Sequence, residues 1–361
     1  KLLTKIGVNM RLKNILITPL LFFVISCTNA NNDGYETSEI NAWNLSDGEE
    51  FPKMRPLSRA EDGVMLDDGT LIVADQRYGL AKISIDGKVE PFGNFEDLDY
   101  SHNPPSNESG PNGVHLTPDK QFILTADVFN GKIYKSSLKN NSTEIAYSHE
   151  FGVNTARQDS SGTIWFTQST KNKNEERLFG ALNQVIPDGA LYRITNLNKE
   201  YPEVEVIVDK LNFANGFYID EKRKKFYLSE MMSNRVLVFD FDLATGSLSN
   251  QATLAVIPTP DNMEMNNDGN LWVASPLSNQ ILSIDLESGE VEVVFDAQTE
   301  MGLKNMEIAI NRMAEGGGFA DLLTPELTGD MPGLLTGMII GGESQPFYVA
   351  NLGAALIQVR K

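Results

Sequence analysis

The sequence predicts an all-β fold, a six-bladed β-propeller, on three observations. One pattern recurs six times after Ala60: a small polar head, a short apolar strand, a turn, then stronger apolar strands divided by further turns. Gly, Asn and Asp supply those turns, the hairpin chemistry of an antiparallel meander. The last copy stops one strand short, which leaves room for a strand from the other end of the chain to close the ring without an open edge.

The fifth copy shows the pattern most fully. Pro260-Asp261-Asn262 leads a strand at 263–265, Asn267-Asp268-Gly269 turns the chain, and strands follow at 271–274, 280–285 and 291–295. The first copy runs from Glu61-Asp62-Gly63 through Asp67-Asp68-Gly69 and 71–74 to Ile83 and Phe92. The second starts at Pro111-Asn112-Gly113, the third at Asn154 with Ile164-Trp165-Phe166, and the fourth at Asn215-Gly216. The sixth starts at Thr336-Gly337 and ends with strands at 347–350 and 355–359. A strand within 39–53 is expected to complete it. Length alone, 361 residues, suggests two domains, but the repeat argues for one propeller over 39–361. Two stretches interrupt it, 171–189 and 301–335. The second carries an expected helix at 304–314, then Gly316-Gly317-Gly318, with Met301, Met306, Met313 and Met331. It reads as a lid insertion between blades five and six, its methionines suited to a partly apolar small molecule.

Ahead of the propeller, residues 1–26 read as upstream residues and a lipoprotein signal peptide. Arg11 and Lys13 are its basic region, and the apolar run at 15–25 is too short to span a bilayer. Val24-Ile25-Ser26-Cys27 resembles a bacterial lipobox, and Cys27 is the only cysteine in the chain. Lipidation at Cys27, with 27–38 as a polar tether, is expected to hold the protein in the cell envelope; Thr28 favours the outer membrane. Without 1–26, 26 basic residues face 49 acidic ones, a net charge of −23. That argues against nucleic acid or anionic lipid as a partner of the domain. A monomer binding a small molecule is the expectation.

In a propeller the innermost strand of each blade comes first, so the heads of the six copies converge on the axis. They are Glu61 (with Asp62), Asn112, Asn154, Asn215, Asp261 with Asn262, and Thr336. Asn-Gly and Asp-Asn also belong to turns of positive φ; what sets these apart is their shared repeat phase. Hard oxygen donors from several blades suit a divalent cation, Ca²⁺ above all, whereas Zn²⁺ would want His or Cys. His115, three residues after Asn112, is a candidate to assist catalysis or simply a hydrogen-bonded neighbour. No G-x-S-x-G motif is present.

Phe213-Ala214-Asn215-Gly216, with Tyr227-Leu228-Ser229-Glu230, resembles the paraoxonase and strictosidine-synthase-like propellers, as does Pro260-Asp261-Asn262 with Gly269-Asn270-Leu271-Trp272-Val273-Ala274. Glu61-Asp62 resembles the paraoxonase metal-binding pair, and the wider group includes the gluconolactonases and regucalcin (the senescence marker protein). The resemblance implies Glu61, Asn154, Asn215 and Asp261 as metal ligands, Asn262 as a further one, and Asp261 as general base. Two departures stand out: Asn112 occupies the place of a paraoxonase catalytic His, and Thr155 a place where Asp often follows the metal-binding Asn. The expected function is a Ca²⁺-dependent hydrolase of lactones or related esters, with Asn112 positioning substrate. The alternative is a non-catalytic binding propeller whose cation is structural.

Overall fold

The computed structural model describes residues 42–98, 100–103, 108–172, 177–197 and 202–360. The signal segment, Cys27 and the tether lie outside the described residues. Within them the strands form six sheets arranged as a six-bladed β-propeller.

Each blade is sandwiched between two others, and the sequence reflects it. The second strands Leu71–Asp75, Ile164–Gln168, Leu271–Ser275 and Phe347–Asn351 are buried at every position. A strand covered on both faces needs a continuous apolar run rather than alternation. The outer strand Ser247–Val256, by contrast, is mostly exposed. Aromatic rings fill the wedge between blades: Trp165 of blade three lies 5.3 Å from Phe226 and 5.8 Å from Phe241 of blade four. Its indole Nε1 donates to Asp159 at 2.8 Å, so this large side chain is buried without an unmet donor.

Ring closure follows the expected route. Gly48–Phe51 pairs antiparallel with Leu356–Val359, in register from Gly48 opposite Val359 to Phe51 opposite Leu356. On the axis side, Leu335–Ile340 of blade six packs against Gly63–Met65 of blade one. One strand was not expected. Trp43–Asn44 pairs parallel with Phe295 and Asp296, so blade five carries five strands. The Trp43 ring stands 5.3 Å from Phe347, which ties blades five and six together at the rim.

The helix of the second insertion runs Glu300–Ala314, four residues longer at its start than the sequence suggests. Thr299 is the reason: its Oγ1 accepts the Gly302 N–H at 2.9 Å and caps the first turn. The glycines after this helix are packed against the other insertion. Phe319 N donates to Leu182 O at 2.8 Å, and a Cβ on Gly318 would meet that same oxygen at 2.0 Å. Only glycine allows the two insertions to approach this closely.

Candidate metal centre and active site

Three local devices aim the blade heads at the axis. The first is a bulge. Pairing between first and second strands breaks between Pro111 and Val114, between Ala214 and Phe217, and between Leu335 and Gly337. Asn112, Asn215 and Thr336 sit at these breaks, where an unpaired residue re-aims its side chain. The second is a left-handed kink two residues earlier in three blades: Arg59 at φ 56°, Phe213 at φ 63° and Thr259 at φ 42°, ahead of Glu61, Asn215 and Asp261. Such a backbone is costly for aromatic and β-branched residues and persists only where the surroundings enforce it. The third device supplies part of that enforcement. Buried carboxylates at the ends of second strands grip the approach to the heads: Asp75 accepts Ser58 N at 3.1 Å, Asp127 accepts Gly110 N at 3.0 Å, and Glu230 accepts Asn212 N at 2.9 Å.

The glycines after the heads have a different purpose from turn-making. Gly113 and Gly216 lie inside strands and do not have positive φ. A Cβ on Gly113 would stand 2.8 Å from Thr155 Cα, and one on Gly216 would stand 2.7 Å from Asn262 Cα. Crowding of the inner strands around the axis demands them. Gly216→Ala is therefore expected to displace the Asp261-Asn262 segment, costing roughly 1–3 kcal/mol as overpacking does. Calorimetric titration with calcium is expected to show weaker binding in this variant; unchanged affinity would refute the crowding account.

The heads meet as the repeat phase implies. Glu61, Asn112, Asn154, Asn215, Asp261 and Thr336 all border one cavity of ≈ 60 Å³ on the axis, and each is at least 95 % buried. Their hydrogen bonds separate them into two groups. Thr336 Oγ1 donates to Glu61 O at 2.8 Å, and Asn112 Nδ2 donates to Asn154 O at 3.1 Å while its Oδ1 accepts from Arg59 Nη2 at 2.7 Å. These two side chains are engaged in holding the ring. The other group has oxygens to offer: Glu61 Oε2, Asn154 Oδ1, Asn215 Oδ1 and Asn262 Oδ1 are buried with no hydrogen-bond partner. Asn262 Nδ2 donates to Glu61 Oε1 at 3.0 Å, which turns its amide oxygen the other way.

Unpartnered buried acceptors cost about 1–3 kcal/mol each, and four drawn from blades one, three, four and five are a strong demand for a cation. The electrostatics agree. Burial, then the neighbouring Asp261 charge, push the Glu61 carboxyl up to about 8, against the pull of Arg59 and the Asn262 hydrogen bond. Burial and the Asp62 charge raise Asp261 well above the usual carboxylate range. Two carboxylates and several amide oxygens match the hard, many-oxygen coordination of Ca²⁺. Among the described residues no group of three His, Cys, Asp or Glu side chains is placed to hold a metal, so the fit rests on the amides.

Asp62 and His115 belong to another layer. Asp62 Oδ2 accepts Val114 N at 2.9 Å and lies 3.7 Å from His115 Nε2, which shares a hydrogen bond with Thr155 Oγ1 at 2.8 Å. His115 lines a different cleft, with Arg157 and Glu264, and does not border the axial cavity. Burial, then the Arg157 charge, hold its pKa well below that of a free imidazole. This geometry sets His115 apart from the axial cavity and gives it a hydrogen-bonded neighbour's contacts. Thr155, where an Asp was noted as absent, is its partner.

The roof of the cavity comes from both insertions: Leu178 and Leu182 from the first, Phe319, Leu323 and Leu334 from the second. The expected methionine surface is not there. Met306 and Met313 pack into the cluster beneath the helix, Met331 packs beside Phe295, and Met301 faces solvent. Sequence reasoning also missed Arg59, a side chain on the cavity wall that no repeat phase singles out.

Comparison with known proteins supports the gluconolactonase and regucalcin part of the resemblance read from the residues. Residues 146–300 match the family model described as SMP-30/Gluconolactonase/LRE-like region. That stretch holds Asn154, Asn215, Asp261 and Asn262. The Cell growth-regulated gene 1 protein of Candida albicans is 24 % identical over 149 residues, 36 % of this chain and 44 % of that protein. Regucalcin of Danio rerio is 31 % identical over 109 residues, 29 % of this chain and 36 % of its own. The chain thus spans less than half the length of these curated relatives. The propeller as a whole is similar to a luciferin-regenerating enzyme (TM-score 0.58, 18 % identity, 87 % of this chain and 95 % of that one). It is equally similar to a gluconolactonase of Xanthomonas campestris (TM-score 0.58, 14 % identity, 88 % and 90 %). A calcium-binding regucalcin of Agrobacterium tumefaciens also matches at a TM-score of 0.58, with 12 % identity over 88 % of this chain and 94 % of that one.

Proposed function

We propose, for a chain with an SMP-30/gluconolactonase/LRE-like region, that the axial cavity binds Ca²⁺ and catalyses the hydrolytic opening of lactones or related esters. Glu61, Asn154, Asn215, Asp261 and Asn262 would hold the ion. When bound it supplies a Lewis acid toward the substrate carbonyl and the oxyanion that develops there.

The protein's own residues do the rest. Asp261 accepts a proton from water as the water oxygen bonds to the carbonyl carbon. It returns a proton to the ring oxygen as the carbon–oxygen bond breaks, so lactone and water become one hydroxy acid. Arg59 keeps the Asn112 amide fixed, and Asn112 in turn holds the Asn154 backbone. Leu and Phe side chains of the two insertions give the cavity an apolar wall.

One observation carries this reading over a closed, structural cation. The cavity measures ≈ 60 Å³ with the ion's own place included, several times the roughly 10–15 Å³ that one water needs, so there is room for substrate atoms as well as an ion. The test is a panel of lactones and aryl esters, assayed with Ca²⁺, Mn²⁺ or Zn²⁺ and again with chelator. Cation-dependent ring opening is expected. If the cation binds and nothing in the panel is opened, the binding-propeller reading takes its place.

A further inference from the structure

The mechanism above leaves the charge of Arg59 unused. Arg59 occupies a left-handed kink at φ 56°, a conformation unusual for a long side chain, and the kink sends the guanidinium from blade one across to blade two. There Nη1 donates to Pro111 O at 2.6 Å and Nη2 to Asn112 Oδ1 at 2.7 Å, and the group lies 5.7 Å over the Phe129 ring. These bonds use two of the five N–H groups of a guanidinium. Arg59 borders the same cavity as Glu61 and Asp261.

Three carboxylates surround it, and none is in contact. Glu61, Asp127 and Asp261 all act on Arg59 through space, yet among the described residues it forms no ion pair with any of them. Asp127 is occupied by the N–H groups of Gly110, Phe129 and Asn130 and by the Asn130 side chain. Glu61 and Asp261 face the cation position. A rigid cation therefore stands beside the ligand oxygens, braced by neutral acceptors rather than neutralised by an acid.

Resting on the lactonase reading, we infer that Arg59 binds the carboxylate of a hydroxy acid, the product of lactone opening, and the oxyanion that precedes it. The guanidinium would take one carboxylate oxygen and leave the other for the ion that Glu61, Asn154, Asn215, Asp261 and Asn262 would hold. A guanidinium already fixed by Pro111 O and Asn112 Oδ1 offers its remaining N–H groups in a set direction, whereas an ammonium in its place would act only as a point charge.

The experiment is calorimetric titration of calcium-loaded protein with sodium 4-hydroxybutyrate. Wild type is expected to bind it, R59M at least tenfold more weakly, and R59K in between. Each variant is first shown to be folded by circular dichroism, titrated with calcium and then saturated in it, so that a change passed through Asn112 to Asn154 is not mistaken for a lost probe contact. Should R59M fail to fold, R59K carries the test, and affinity equal to wild type overturns the inference. Failure of wild type to bind the probe, or R59M binding it within twofold of wild type, also overturns it. The two readings separate cleanly. Arg59-dependent binding of the probe without turnover of any lactone sinks the hydrolase reading alone. Turnover with no effect of R59M on probe binding or kcat/KM sinks the Arg59 inference alone.

Discussion

Asp261→Asn is expected to lower turnover of any lactone the wild type opens by about 10²–10⁴-fold, the usual worth of a positioned acid or base. Asparagine keeps an oxygen at nearly the same place, so calcium affinity is expected to fall less than in Asp261→Ala. The side chain is 95 % buried on the cavity wall, and its main-chain oxygen is held by Ser229 Oγ at 2.7 Å, which keeps the residue in position through the substitution. Turnover would be followed with each variant saturated in calcium, so that a lost ligand is not mistaken for a lost base. A residual rate within a few-fold of wild type would remove Asp261 from the role of base.

The second large effect is on stability. In metal-free protein the fold prefers Glu61 protonated, with its carboxyl at about 8 against 4.5 when unfolded. For a group raised on folding, the stabilising contribution is fully present below pH 4.5 and disappears as the pH climbs to about 8. Asp261 is raised as well and acts in the same direction. Calcium reverses the preference by ionising these groups, so its affinity rises and protons are released over the same window. At pH 8, calcium at a thousand times its dissociation constant would stabilise the fold by about 4 kcal/mol, on the order of 6 °C in Tm for a domain of this size. Thermal denaturation from pH 5 to 9 in calcium and in chelator checks this. The gap between the two curves is expected to widen as the pH rises, and a gap that is absent at pH 8 would exclude a tight calcium site.

Much of the fold was legible because propeller blades repeat. A period survives in the chain even when each copy is degenerate, and it exposed the heads Glu61, Asn154, Asn215 and Asp261 without any view of the axis. What the period could not show is anything that acts by reaching between blades. Arg59 stands in an ordinary-looking segment, and only its kinked backbone brings it to Asn112, some fifty positions away. Asp127 and Glu230 stand at strand ends, and only the folded chain shows them holding the approach to the heads. The glycines at 113 and 216 were open to a turn reading, because sequence records that a side chain is missing but not what would collide with it. The methionines of the second insertion suggested a binding surface; helix Glu300–Ala314 turns Met306 and Met313 inward instead, and leucines from two separate insertions form the roof. His115 shows a related limit: Asn112, three residues before it, borders the cavity, while His115 itself lines a different cleft.

The pairing of Gly48–Phe51 with Leu356–Val359 also dictates an order of events during folding. Arg360 and Glu49, joined at 3.0 Å, are 311 positions apart in the chain. Blades one to four are built from contiguous segments, so each can form as the chain emerges from the ribosome or enters another compartment. Blade six cannot. Its outer strand is made long before Leu356–Val359 and must wait, unpaired, until that strand arrives. During that interval the nascent protein carries a strand with no partner, and later a three-stranded blade with an open edge, both ready to pair with another chain. Contacts so distant in sequence also slow the search for the native pairing. The last step of folding is therefore one that blades one to four, however stable, do nothing to hasten.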